Sequence, residues 1–544
     1  MTITKKVLFL DSVLISFFVN RYAPTYNVYH SFYWTVAVLY GIQLACIFTW
    51  TVIVWPQYLS PLRHLPTAPG SEFILGNFRR IMRDPSGEPQ RQWAEQVPNE
   101  GLIRYSFIFN EHRVLLTSTK ALAEVLVHRN YDFIKPERLR SGLGRLLGIG
   151  ILLAEGEEHK RQRRTLMPAF AFRHIKDLYP IFWKKSKELI EAMDVAIQKP
   201  DIPGEQPAST VEIGNWVSRA TLDIIGVAGL GQDFGAIKDP GNELNQTYRS
   251  IFTTTRVARL MQILGNIIPV WFLRALPVKR NEELVNAVRL VKRTCYELVK
   301  NKKEKIEKGE RIDVDILSVA LESGGFSDDE LVNQLMTFLA AGHETTASAL
   351  QWATYLLCRH PNAQKRLREE IRGNLPSILD PDVKISATEI DHLPYLNAVC
   401  NESLRLYSPV PLTVREAAHD TTILGQPIPK GTSVVICAWA INCSQELWGE
   451  DAKEFNPDRW IGPGRANTGG ADSNYSFLTF LHGPRSCIGK DFAKAEFAIL
   501  LAALFGHYEM ELADPNMKLD IQGGITAKPK KDGLFVKVKA LESW

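Results

Sequence analysis

Apolar residues are concentrated at the start of the chain. Ser31 to Trp55 contains no Asp, Glu, Lys, Arg or His. As a helix it would be about 37 Å long, enough to cross a hydrocarbon core of about 30 Å with some tilt. Phe32, Tyr33 and Trp34 mark one end, and Trp50 and Trp55 the other, as interfacial aromatic residues do. A second apolar run, Val7 to Val19, is interrupted by Asp11. At about 20 Å it is short for a span, and reads as a partial span, an interfacial helix or a signal-like segment. No small-residue cleavage site follows it, so the segment is expected to be retained. Pro56, Pro61, Pro66, Pro69 and Gly70 then predict a stiff, extended spacer. The expected division is an N-terminal segment over 1–30, a transmembrane helix over 31–55, a proline-rich linker over 56–70 and one large domain over 71–544.

Beyond residue 70 the apolar spacing is mostly helical. It predicts helices over roughly 155–199, 210–230, 243–265, 281–308, 327–359, 361–374, 394–407 and 487–505, with strands near 101–117 and 411–437. Pro200 to Pro207 reads as a loop. No repeat or linker divides the region, so the fold class is mainly α with a smaller β portion. In the predicted helix 327–359, Ser327 and Glu330 form a capping-box pattern and Pro361 closes the far end. Its apolar flanks enclose Ala341-Gly342-His343-Glu344-Thr345-Thr346. A weak, polar centre in a long apolar helix suggests that something is accommodated there; the alternative is an ordinary surface turn.

Composition narrows the classes. The 544 residues are 45% hydrophobic and 23% charged, which excludes a mostly disordered chain. The net charge of +4 gives no support to a general nucleic-acid binder. Seven irregularly spaced cysteines form no CxxC pair, so neither a zinc ribbon nor a thioredoxin-like motif is expected. Arg63, Arg79, Arg80 and Arg83 follow the main span, whereas Arg21 alone lies between the two apolar runs. The positive-inside rule therefore places the large domain in the cytosol.

The candidate chemistry lies in Phe480-Leu481-His482-Gly483-Pro484-Arg485-Ser486-Cys487-Ile488-Gly489. Gly483 and Gly489 would let the backbone pass close to a large flat ligand. Arg485 offers a fork of donors suited to a carboxylate. Cys487, at the start of a predicted helix, is expected to have a stabilised thiolate and a lowered pKa. Such a thiolate is a metal ligand or a nucleophile.

This segment resembles the haem-binding signature F-x-x-G-x-R-x-C-x-G of the cytochrome P-450 superfamily. Ala341-Gly342-His343-Glu344-Thr345 resembles that family's oxygen-activation motif, and Glu402-Ser403-Leu404-Arg405 its E-x-x-R motif. Phe455-Asn456-Pro457-Asp458-Arg459-Trp460 resembles its P-E-R-F region, with Asp and Trp in place of Glu and Phe. The resemblance covers about residues 60–540 and has the style of fungal microsomal members. It implies the cytochrome P-450 fold behind an N-terminal transmembrane helix, with haem as cofactor and Cys487 as the axial thiolate on iron. Phe480 would pack near the sulfur, with Gly483 in the same loop. Arg485, Arg163, Arg415 and His159 would hold the haem propionates, His159 standing where the family often has Trp. Glu402, Arg405 and Arg459 would form a structural ion-pair cluster. Glu344 and Thr345 would be the acid–alcohol pair that delivers protons, the hydroxyl holding a water and the carboxylate relaying to it.

The implied activity is a monooxygenase inserting one atom of O2 into a lipophilic substrate, in secondary-metabolite biosynthesis. Lipid, sterol or xenobiotic hydroxylation is the alternative within the class. The implied partners are an NADPH–cytochrome reductase and the endoplasmic reticulum membrane. Lys160, Arg161 and Arg164 are candidates for docking the reductase. The apolar stretch Val257 to Leu276, with Ile263, Ile267, Ile268, Val270, Trp271 and Phe272, is expected to touch the membrane and cap the pocket. Gly142-Leu143-Gly144-Arg145-Leu146-Leu147-Gly148 imitates a dinucleotide fingerprint without its third glycine, and reads as a flexible, substrate-lining loop. NADPH is therefore expected to bind the partner. Two other classes remain: a reductase-independent haem-thiolate isomerase or dehydratase, which the Glu344-Thr345 pair disfavours, and a haem sensor without turnover.

Overall fold

A helix of 32 residues, Asp328–Arg359, forms the axis of the domain. Both arms of its capping box are made: Glu330 N donates to Ser327 Oγ, and Ser327 N donates to Glu330 Oε2 at 2.7 Å. The helices Ile213–Ile224, Lys279–Glu307, Pro394–Leu406 and Lys490–His507 pack around it. Leu335, Leu339, Leu350, Ala353 and Leu357 are all buried, so the centre of the helix is no surface turn. Gly342 has a packing role. A Cβ there would lie 2.9 Å from Ile225, so glycine admits the end of the neighbouring helix. The computed structural model describes residues 5–198, 209–252, 255–266, 268–310, 315–521, 524–530, 532–542 and 544. The expected loop Pro200–Pro207 lies outside them, as does Ile267.

The two strand-like stretches resolve into six strands, and four more form outside them. These are β1 (Leu102–Ser106), β2 (His112–Leu116), β3 (Phe133–Ile134), β4 (Thr210–Glu212), β5 (Leu412–Ala417), β6 (Thr421–Ile423), β7 (Gln426–Ile428), β8 (Ser433–Cys437), β9 (Tyr508–Leu512) and β10 (Phe535–Ala540). One sheet has the order β1-β2-β8-β5-β3, a second β4-β10-β9, and β6 pairs with β7. In the first sheet β2 and β8 run parallel, with Val114 opposite Val434. Trp93 and Tyr105 fill the space beneath it, their ring centroids 5.1 Å apart.

Several expected boundaries move. The helix over 155–199 breaks into Gly156–Leu166 and Tyr179–Gln198, with short turns between them, because Pro168 cannot donate to the preceding turn. The region 243–265 divides into Glu243–Phe252 and Arg256–Leu264. The expected flexible loop over 142–148 lies instead on the helix Glu137–Leu147. Leu143, Leu146 and Leu147 pack on the main core, which outweighs a cost of about 1 kcal/mol for each helical glycine. Gly148 ends that helix at φ +70°, where a Cβ would meet Asn333 O at 2.7 Å.

The N-terminal region forms α1 (Lys5–Tyr22) and α2 (Phe32–Thr49). The helix after α2 does not stop at Trp55 but winds on through Pro56 to Leu59. This stretch is wound as a π-helix, in which an N–H serves the carbonyl five residues back, as Ser60 N does to Trp55 O at 2.8 Å. Asn110 Nδ2 donates to the carbonyl of Val52 at 2.9 Å, so the domain is bonded directly to the helix. The rest of the expected linker is tied down rather than free: Arg104 N donates to Pro66 O, and Ala68 N to Arg104 O, both at 2.8 Å.

The Glu402 cluster holds together three segments of the domain. Arg405 donates to both Glu402 oxygens at 2.8 Å. Arg459 Nε and Asn456 N donate to Oε1 at 3.1 and 3.0 Å, and Trp460 Nε1 to Oε2 at 2.8 Å. The Trp that departs from the family pattern therefore adds a hydrogen bond that Phe could not make. Removing one partner of a buried pair leaves an orphaned charge. Arg405→Leu is expected to cost about 3–5 kcal/mol in a chemical denaturation, and a loss below about 1 kcal/mol would contradict this account.

A second polar contact sits where α2 meets the domain. Arg104 Nη1 lies 3.2 Å from His112 Nε2, and Ser60 Oγ lies 3.2 Å from Nδ1. Guanidinium can only donate, so Nε2 accepts and the ring is neutral. Burial, and then Arg104, push the His112 pKa down to about 4. The unfolded ring takes its proton near pH 6.5, so the native state is the proton-poor one. The His112 contribution to stability is therefore complete above about pH 6.5 and lost as pH falls toward about 4. His112→Gln should flatten the decline of denaturation midpoint over that interval.

Candidate active site

The loop carrying Cys487 is held by its own backbone. Gly483–Arg485 forms a tight turn, Ser486 N donates to Gly483 O at 3.0 Å, and Cys487 N donates to Phe480 O at 2.9 Å. Phe480 is half-buried and packs against the main core. Gly483 has φ +74°, and a Cβ there would lie 2.1 Å from Leu126 O. From the helix Gly156–Leu166, Arg163 reaches across and donates to Ser486 O at 2.7 Å and Ser486 Oγ at 3.1 Å. Arg163 thus braces the loop instead of pointing into the cluster around Arg485.

The helix after the loop starts at Lys490 with Gly489 as its cap, so Cys487 lies ahead of the helix and not within its first turn. The expected lowering of its pKa is not found. Burial pushes the thiol up, and the Gly489 N–H and Arg163 only partly offset this. Cys487 is nevertheless an exposed residue.

Beside the loop lies a concentration of buried basic groups. Arg485, Arg415, Lys135 and His159 are each less than 10% exposed. Arg485 pairs with Glu155, donates from Nε to Asn130 Oδ1 at 3.1 Å, and lies 5.0 Å from the Tyr131 ring centre. Tyr131 Oη lies 3.1 Å from His159 Nδ1. Arg415 donates to Thr413 Oγ1 at 3.0 Å and Val414 O at 3.1 Å. Burial and Arg485 push the Arg415 pKa down to about 10. Burial, then Arg415, push the Lys135 amine well below its usual range. Burial, Arg485 and Lys135 bring His159 to about 4. Burial alone would raise Glu155, but Arg485 and Lys135 outweigh it and the carboxyl is lowered. Among the described residues Glu155 is the one carboxylate paired with this group. Arg485 Nη1 is buried without a hydrogen-bond partner. The cluster carries positive charge in excess, and it would accept an anion with two negative charges.

On the long helix, Ala341 and Thr345 are accessible although the residues around them are buried. Thr345 Oγ1 donates to Ala341 O at 2.9 Å. Glu344 points elsewhere, because successive helical residues do not share a face. Its Oε1 takes Lys528 Nζ at 2.7 Å and Thr526 Oγ1 at 3.1 Å, both from the C-terminal segment. The two members of the expected acid–alcohol pair are thus not joined to each other. Gln334 Nε2 donates to Gln162 Oε1 at 2.8 Å, and Phe338 stacks edge-on against Phe170. These contacts lay the long helix over the helix that carries His159 and Arg163.

Sequence reasoning missed Asn130, Tyr131, Lys135, Glu155, Thr526 and Lys528. Only Glu155 had a local signal, its position just before the helix that carries His159. The others are assembled from segments far apart in the chain.

A sequence model described as Cytochrome P450 matches residues 69–536. The chain is 47% identical over 529 residues to the cytochrome P450 monooxygenase sphH of Aspergillus fumigatus, covering 96% of each. It is 42% identical to the cytochrome P450 monooxygenase ALT8 of Alternaria alternata, covering 91% of this chain and 93% of that one. It is 40% identical to the cytochrome P450 monooxygenase FUM15 of Gibberella moniliformis, covering 93% of each.

Gly483 and Gly489 separate backbone demand from simple smallness. Gly483→Ala must relieve a clash with a backbone carbonyl at a left-handed φ, at a cost of at least about 1–3 kcal/mol. Gly489→Ala would meet only Phe170 Cε1, at 3.7 Å, and should be tolerated. Melting temperature and the reactivity of Cys487 toward a thiol reagent should change in the first variant and not in the second.

Proposed function

The chain belongs to the cytochrome P450 family, a family of haem-thiolate oxidoreductases, and from that premise we propose that it is a membrane-anchored fungal monooxygenase acting on a lipophilic substrate in secondary metabolism. The observation that carries the reading is the excess of buried positive charge beside Cys487. Haem brings two propionates, which would offset that excess, and the unpartnered Nη1 of Arg485 is suited to one of them. The residues present therefore fit the cofactor. Bound through an axial thiolate, haem supplies the O2 activation and oxygen transfer of the reaction.

The remaining work falls to the chain. Cys487 would supply the thiolate to the haem iron, its loop held by its N–H on Phe480 O and by Arg163 on Ser486 O. Arg485, Arg415 and His159 would hold the propionates, with Lys135 as a fourth donor. Thr345 Oγ1 exchanges its backbone acceptor for a water and passes protons inward. Glu344, held by Lys528 and Thr526, would have to part from them and take up a proton from solvent before it could feed that relay.

Substrate class and setting rest on the surface. Val257, Leu260, Trp271 and Phe272 are exposed apolar residues on the short helices Arg256–Leu264 and Val270–Ala275. Arg259 reaches the carbonyl of Met82, joining this surface to the region near the anchor. A lipophilic substrate entering from the endoplasmic reticulum bilayer, with the domain on the cytosolic side, accounts for that exposure. Among the described residues, Phe32–Leu59 is the one helical stretch long and apolar enough to serve as the anchor. Arg164 is exposed and suited to an acidic NADPH–cytochrome reductase. Lys160, paired with Glu157, and Arg161, engaged by Glu158 and Glu330, are weaker candidates.

Purified full-length protein, reduced and exposed to carbon monoxide, should show the Soret band of thiolate-ligated haem, and Cys487→Ser should lose it. Absence of the band in the unaltered protein would overturn the assignment. With reductase present, Thr345→Ala should keep consuming NADPH while product falls on the order of 100-fold and hydrogen peroxide rises.

A further inference from the structure

Helix α1 is packed against α2, and the contacts make the pair antiparallel. Phe9 meets Tyr40 edge-on with ring centroids 6.0 Å apart. At the turn, Asn27 Nδ2 donates to Asn20 Oδ1 at 2.8 Å and Val28 N to Thr35 Oγ1 at 2.9 Å. The face of α1 toward α2 is Leu8, Ser12 and Ser16, all buried. Two small residues one turn apart allow close approach of helices in lipid, and Ser12 Oγ is satisfied by Leu8 O at 2.8 Å. The opposite face exposes Val7, Phe9, Leu10, Leu14, Ile15, Phe17 and Phe18, each more than 40% accessible. Nothing in the domain covers it.

The ends of α1 coincide with the boundaries of a bilayer. Its 18 residues span about 27 Å, close to the thickness of an endoplasmic reticulum hydrocarbon core. The apolar run Val7–Val19 covers only about 20 Å of it, so Lys5, Lys6 and Arg21 must extend their side chains to the interfaces. At the turn end Tyr22, Tyr26, Tyr29, Tyr33 and Trp34 are all exposed, as at a membrane interface. At the other end stand Lys5 and Lys6. From the Phe9–Tyr40 contact, one more turn brings Lys5 level with about residue 44 of α2. One turn beyond that, the domain begins: Phe48 meets Phe109 at 6.0 Å, and Asn110 holds the carbonyl of Val52. The start of α1 and the first domain contacts therefore lie at nearly the same depth.

We propose that α1 is a second membrane span, so that α1 and α2 form a helical hairpin whose two open ends face the cytosol, its outer apolar surface being taken up by bilayer hydrocarbon. The inference rests on the reading of α2 as an anchor. Asp11 opposes it. On an insertion scale one Asp near a helix centre offsets roughly five to ten residues of the Leu, Ile, Phe and Val kind, and α1 carries ten of them. The sum for α1 alone is near balance, and packing along the Leu8-Ser12-Ser16 seam tips it toward insertion.

The test uses the full chain in sealed microsomes, with an N-terminal extension that carries an epitope and an Asn-Gly-Thr acceptor. A hairpin keeps the extension outside: it should remain unglycosylated and be removed by added protease without detergent. A glycosylated, protected extension overturns the hairpin and leaves a single span with α1 on the lumenal side. A variant lacking residues 2–23 with the same extension leaves α2 alone, and its extension should become glycosylated. If it stays unglycosylated while the variant is membrane-embedded, α1 does not set the topology and the proposal fails. Release of the full chain by alkaline carbonate would instead refute the anchor itself, a result distinct from either outcome for the extension.

Discussion

Buried charge is the constraint on which the domain depends, and the two buried charge clusters meet it in opposite ways. Glu402 receives donors from Arg405, Asn456, Arg459 and Trp460, and Arg405 spends its remaining donors on the carbonyls of Asn442, Ala452 and Glu454. That network is closed and ties the helix Pro394–Leu406 to the segments that follow the sheet. The cluster around Arg485 is open. Its basic groups outnumber its carboxylate, and several of their pKa values are pushed down, first by burial and then by one another. A closed network of this kind serves stability and specificity, whereas an open one in the interior implies a ligand that completes it.

Backbone geometry brings the open cluster and the sulfur together. Only glycine at position 483 lets the Cys487 loop pass under the carbonyl of Leu126, a few residues before Asn130 and Tyr131. Arg163 fixes the loop from one helix, and Glu155, immediately before that helix, fixes Arg485. The same short stretch thus holds both the ligand loop and its cationic neighbour. Gly342 plays the equivalent part on the long helix by admitting Ile225 where the helix carries its polar centre. The functional residues are placed by close backbone approach, not by the side chains' own preferences.

The N-terminal helices show the same interdependence. Pro56 would be expected to end a helix, yet the helix continues to Leu59, and Asn110 of the domain bonds the carbonyl of Val52 within it. The helix runs into the junction with the domain, where Ser60, Arg104 and His112 form a polar contact. Such a junction fixes the N-terminal helices relative to the domain. Under the proposed anchoring, the exposed Trp271, Phe272 and Phe73 would be the surfaces available to lipid.

Much was legible in the chain alone because it depends on local spacing. Apolar periodicity marked the long helix to within a residue, since a capping box at Ser327 and a proline at 361 are local signals. The Cys487 loop was legible because its glycines, arginine and cysteine lie within ten residues. The glycine-rich helix Glu137–Leu147 was misread, because only tertiary packing of Leu146 and Leu147 outweighs the glycine penalty. Strands β4, β9 and β10 escaped notice because they are short and β10 pairs with β4 across more than three hundred residues, so no local signal marks the sheet. The thiol at 487 and the carboxylate at 344 were assigned environments that folding altered: burial raised the first, and Lys528 captured the second. The sequence by itself determined which residues carry chemistry and which run is greasy enough for lipid, since both are properties of short segments. Only the tertiary structure decided which charges remain uncompensated and which helix stands beside the anchor. Desolvation and contact depend on neighbours that the order of residues does not reveal.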